Sequence, residues 1–150
     1  MKNILALAVL SSLGLASAST VNLQVPVSIT VPNPCVPSDV VSLSGNLHLV
    51  GKVDSSATGT TAKIHVNLQN FGGNTPSGRL YRAQLNGKAD LEFAPNVLPA
   101  SASGSVYARL ISQGPADNFR LKINFDVSVD ASGNVTVTNP TAFPEGTCNG

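Results

Sequence analysis

The segment NFRLKINFDVSVDASGNVTVTN, Asn118 to Asn139, alternates apolar and polar residues on both sides of one short turn. Phe119, Leu121, Ile123, Phe125, Val127 and Val129 fall on one side of such a chain, and Arg120, Lys122, Asn124, Asp126 and Ser128 on the other. A period of two is met only by a strand with one dry and one wet face. Ala131-Ser132-Gly133 has the form of a three-residue hairpin loop with Gly at the left-handed position, which sets Val129 opposite Val135 and Val127 opposite Val137.

The same alternation recurs along the chain. Val41, Leu43, Gly45, Leu47 and Leu49 interleave with Ser42, Ser44, Asn46 and His48; Ile64, Val66 and Leu68 interleave with His65, Asn67 and Gln69. Val21–Val31 is a further strand, in which Pro26 lacks a backbone donor and suits an edge. "PNPC" follows as a stiff turn. "RLYRAQLNGKADLEF" carries Asn86-Gly87, a hairpin-turn pair, and "GSVYARLI" is a strand that ends at Gly114-Pro115. No helical spacing is sustained outside the N-terminal segment. About eight strands joined by short turns predict an all-β antiparallel meander, which must cover its edges or close on itself. A closed or flattened barrel is the favoured form; a two-sheet β-sandwich has the same strands and is the alternative.

Met1-Lys2-Asn3, an apolar run to Leu15 and Ala16-Ser17-Ala18 form a charged start, a short apolar core and an A-x-A site. This is the pattern of a signal peptide, residues 1–18, leaving 19–150 as a single domain, periplasmic or extracellular. No transmembrane segment remains after signal removal. The two cysteines, Cys35 and Cys148, would meet oxidising conditions and are expected to bond. Such a bond would join the two ends of a meander, as barrel closure requires, and the chain-entropy account assigns so long a loop about 4–5 kcal/mol.

Charged residues make up 11% and the net charge is +1, so no basic footprint for nucleic acid is visible. There is no Trp and aromatics are 5%, which weakens a lectin reading, because sugar platforms are usually aromatic.

Both histidines lie in NLHLVGKVDSSATGTTAKIHVNLQ, Asn46 to Gln69. A hairpin centred between Ser56 and Ala57 would set Leu49 opposite Ile64 and Leu47 opposite Val66. His48 would then face His65, and Asn46 would face Asn67. Directly opposed Cβ atoms lie about 4.5–5.5 Å apart, close enough for two imidazoles to share a proton or a metal ion. The candidate binding residues are therefore His48, His65, Asn46 and Asn67. Zinc needs at least one further ligand, and the neighbours Asn46, Asn67 and Lys63 are poor ones, so no metal site is assigned. No G-x-S-x-G elbow, phosphate loop or dinucleotide fingerprint is present, and no catalytic residue or cofactor is assigned. Asp90 and Glu92 share a strand face and could form a like-charge pair. Asn134-Val135-Thr136 matches the glycosylation triplet, which matters only in a eukaryotic secretory route.

Asn33-Pro34-Cys35, Ser44-Gly45-Asn46-Leu47-His48, His65-Val66-Asn67-Leu68-Gln69, Gly78-Arg79-Leu80-Tyr81, Gly114–Leu121 and Cys148 together make the chain resemble a diffuse group of uncharacterised small exported bacterial β-proteins with a cysteine near each end. It departs from them at Val36-Pro37, where a small polar residue and Gly are expected. The resemblance implies export and a β fold, and adds no chemistry.

Three functions follow as expectations. The first is an exported non-enzymatic barrel that binds a small apolar or amphipathic ligand, in a pocket lined by Leu47, Val66, Leu121, Ile123 and Phe125, or binds a surface partner. The second is a structural or adhesive envelope module. The third is a metal-dependent hydrolase using His48 and His65.

Overall fold

A computed structural model describes residues 17–56, 58–86, 88–93, 98–114 and 117–149. It contains β1 (Ser17–Pro32), β2 (Val40–Ser56), β3 (Gly59–Asn74), β4 (Leu80–Asn86), β5 (Lys88–Phe93), β6 (Ala100–Ser112), β7 (Asn118–Val129) and β8 (Val135–Asn149). All eight belong to one antiparallel sheet, β1-β2-β3-β4-β6-β7-β8 with β5 also on β3, curled into a nearly closed barrel-shaped sheet. The barrel form of the meander is thus the one that occurs. Most of the expected signal peptide lies outside the described residues, while Ser17 and Ala18 already pair with Ser55 and Asp54 at the start of β1.

One expected hairpin is absent among the described residues. β4 and β5 are both antiparallel to β3, with Gly72–Asn74 facing Leu80–Arg82 and Ala62–Asn67 facing Lys88–Phe93. They run in the same direction, in line, and do not pair with each other as a hairpin would require. Gly87 itself lies outside the described residues. A positive-φ dipeptide signals a hairpin only when two flanking strands pair with each other; here each finds a better partner in the long strand β3. Eight strands therefore fill seven positions.

That odd count governs closure. Direction alternates from one position to the next, so β1 and β8 run parallel. Among the described residues no hydrogen-bonded ladder joins them, although they approach one another. Because the two strands point the same way, their ends share a rim, and there Cys35 and Cys148 are bonded with Cα atoms 4.9 Å apart. The turn before β2 is fixed from within. Asn33, buried, accepts from the Cys35 N–H at its Oδ1 (2.9 Å) and donates from Nδ2 to the Tyr81 hydroxyl (3.1 Å). Tyr81 in turn packs edge-on against Phe119, with ring centroids 5.4 Å apart. Val36 supplies a backbone N–H to Asn33 O, so the Val36-Pro37 variant of the turn closes normally.

The dry faces meet inside. Leu47, Leu49, Val66, Leu68, Val106, Leu110, Leu121, Ile123 and Val127 have no exposed surface, and they belong to one continuous apolar cluster. Two of the sheet's register shifts, each at a positive-φ Asn, keep the alternation in phase with the interior. Asn70 (φ +50°) is an extra residue opposite the Ser44–Asn46 step and turns Phe71 inward. Asn139 (φ +54°) does the same opposite Asn124–Asp126, bringing Ala142 into register with Ile123. Phe71 needs the space left by Gly45: a Cβ there would lie 2.8 Å from both Phe71 Cα and its ring.

The β7–β8 loop forms as its sequence predicts, with Val129 opposite Val135, Val127 opposite Val137 and Gly133 at φ +85°. Asp130 organises it. Its carboxylate accepts from the side chain and backbone of Asn134 and from the Ser132 N–H, each at 2.8 Å. The Asn134 side chain, then its backbone N–H, holds this carboxyl below its ordinary range.

Three outcomes follow. Gly45→Ala should cost about 1–3 kcal/mol in denaturant unfolding, because backbone rather than a flexible tip must move. Replacing both cysteines by Ser should lower stability by up to about 4–5 kcal/mol and speed hydrogen exchange first in β1 and β8. For Asp130 the folded pKa lies below the unfolded one, so its contribution is complete above about pH 3.9 and vanishes as pH falls through the folded value. Asp130→Ala should therefore destabilise at neutral pH, with the gap to wild type closing in strong acid. A gap that persists there would show that the turn does not depend on the ionised carboxylate.

Candidate functional site

Polar groups able to bind or react stand on the outer face of the sheet. β2 and β3 pair two residues out of the expected register. His48 faces Asn67, Asn46 faces Gln69, Leu47 faces Leu68 and His65 faces Val50. The turn centres later, with Ser56 opposite Gly59, and a two-residue slip preserves every inward-facing residue. Apolar matching therefore fixed the face and left the register free. The histidines share the outer face but are not opposed.

Their partners differ. His48 Nε2 lies 2.9 Å from Asn22 Oδ1, and Gln69 Nε2 lies 2.9 Å from His48 Nδ1. The amide carbonyl needs a donor and the amide NH2 needs an acceptor, so both ring nitrogens are engaged, Nε2 as donor and Nδ1 as acceptor. Such a ring offers no lone pair to a metal. His65 Nδ1 lies 2.5 Å from Asp90 Oδ1 and donates to it. Beside it Lys63 Nζ lies 3.4 Å from Glu92, so Asp90 and Glu92 each face a basic partner. Asn67, between the two histidines in the polar row, has its Oδ1 shielded and without a hydrogen-bond partner among the described residues. A groove of about 450 Å³ runs along Lys52, Asp54, His65, Asp90 and Glu92. Among the described residues the one grouping of potential metal ligands is Cys35, Asp117 and Cys148, whose thiols are spent on the disulfide.

The residues proposed to line an internal ligand pocket do something else. Leu47, Val66, Leu121, Ile123 and Phe125 are at most 1% exposed and fill the barrel interior. Grooves among the described residues, such as those along Lys52 to Glu92 and Ser103 to Thr141, open to the surface.

A second outer-face cluster lies on β6, β7 and β8. Tyr107 is opposite Lys122, and Arg109 opposite Arg120. On the other side of β7, Phe143 is opposite Lys122 and Glu145 opposite Arg120. The Arg120 guanidinium sits 4.4 Å from the centre of the Tyr107 ring, and Lys122 Nζ is 5.7 Å from it. Phe143 is 54% exposed. Reading β7 alone shows Arg120 and Lys122 on the wet face; that Tyr107, Arg109 and Phe143 join them depends on strand order and register, which no local pattern carries.

Comparison with protein-family models, with curated proteins and with solved structures returns no match.

The histidine assignments are directly testable. Long-range ¹H–¹⁵N correlation at mildly alkaline pH should find His48 as the Nε2–H and His65 as the Nδ1–H tautomer. Micromolar zinc should leave the denaturation midpoint of wild type and of a His48→Gln/His65→Gln variant equally unmoved. A zinc-dependent rise confined to wild type would instead establish a metal site.

Proposed function

We propose that this protein is an exported, non-enzymatic binding module that engages a surface partner through the outer face of its barrel. The observation that carries this reading is the filled interior: the side chains that could have lined a ligand pocket pack against one another. Chemistry has little support, since His48 is saturated on both nitrogens. The disulfide is in keeping with an oxidising compartment.

Two measurements test the reading together. The oxidised protein should be recovered outside the cytoplasm and should bind isolated cell-envelope material saturably. An apolar reporter such as cis-parinaric acid should show no saturable uptake. Uptake of one reporter per chain would return function to the interior and overturn the proposal.

A further inference from the structure

The geometry points to the Tyr107–Arg109–Arg120–Lys122–Phe143 face as a binding site for an acidic polysaccharide. This deepens the surface-binding reading and rests on it.

Folding alone gives poor reason for the cluster. Arg109 and Arg120 are directly opposed across β6 and β7, where like charges repel. Lys122 adds a third cation on the neighbouring rung, and Glu145, 4.0 Å from Arg120, is the one acid facing them from β8. An anion placed between the guanidinium groups would relieve the repulsion and be held by fixed, planar donors. Tyr107 stacks against Arg120, which reduces the side-chain freedom to be lost on binding.

Three features favour a polysaccharide over other polyanions. Phe143 and Tyr107 flank Lys122 and offer apolar ring surface to a sugar. One rung on, about 7 Å along the strands, the cations end and the face becomes hydroxyl-rich. There Ser105 is opposite Asn124, 2.7 Å apart through their side chains. A groove of about 380 Å³ opens at that rung, lined by Ser103, Ser105, Asn124, Asp126, Asn139 and Thr141. A chain carrying acid groups and neutral hydroxyls in alternation suits a surface with those two zones. A uniformly charged strand would meet Asp126. A lipid bilayer would find one exposed Phe, too little apolar area to insert.

The full-length, disulfide-bonded protein should bind polygalacturonate and not neutral dextran, with an affinity that falls steeply with salt. Arg120→Ala/Lys122→Ala should weaken binding about tenfold or more at low salt. Lys52→Ala/Lys63→Ala removes the same charge from an opposed pair on β2 and β3 that lies beside Glu92, and should change little. Ser105→Ala/Asn124→Ala should weaken binding without altering the salt slope. Arg109→Gln should raise the denaturation midpoint of the free protein while weakening polygalacturonate binding. Equal losses in the two charge variants would overturn the site. So would equal affinity for single-stranded DNA or for phosphatidylglycerol vesicles, or a midpoint lowered by Arg109→Gln. Envelope binding that survives Arg120→Ala/Lys122→Ala would refute this face and leave the surface-binding reading standing. Wild-type protein that does not bind envelope material would refute both.

Discussion

A meander with an odd number of positions cannot close by the pairing that built it. Each antiparallel step reverses direction, so the seventh position runs parallel to the first, and β1 meets β8 with its backbone groups in the wrong relation for another antiparallel ladder. The rest of the molecule accommodates this seam. Pro26 on β1 and Pro140 and Pro144 on β8 place residues without a backbone donor on the two strands at the seam, which limits pairing with foreign strands. The Cys35–Cys148 bond supplies the join that hydrogen bonds do not, and it lies at the rim where the C-terminal ends of these two parallel strands meet.

Seen from that constraint, the division of labour between the two faces is sharp. A barrel this narrow is filled by the inward side chains of its own strands, and bulges at Asn70 and Asn139 aim Phe71 and Ala142 inward as the strands coil. The outward residues form two unlike surfaces. On β1, β2, β3 and β5 many polar groups are paired: Asn22, His48 and Gln69 in a chain, His65 with Asp90, Lys63 with Glu92. On β6, β7 and β8 the cations outnumber their acid and lean on an aromatic ring.

The sequence disclosed what a period of two can disclose. All six inward residues of Phe119–Val129 are buried, the Ala131–Gly133 loop closes as expected, and the cysteines pair. It failed where the decision was not local. The His48–His65 pairing rested on apolar matching, which a two-residue slip satisfies equally well, so the slip went unseen. Asn86-Gly87 carries the composition of a reversal, yet β3 is long enough to take both flanking segments in line. The basic-aromatic face needed β6 beside β7 in a known register before its residues could be named together. Low overall charge hid it, because a net charge near zero says nothing about where the charges gather.

The covalent join also decides how the molecule carries a load. Tension applied at the two ends of the chain passes along β1, crosses from Cys35 to Cys148 and leaves through the last residues of β8. Everything between the cysteines lies off that line of force. Peeling can consume β1 from β2, but it stops at the cross-link, and β6 and β7, which bear most of the outer-face cluster, lie off the loaded path. The barrel is therefore a bead on a short tether: extensible by little more than one strand, with β2 to β7 mechanically insulated as long as the sulfurs stay joined.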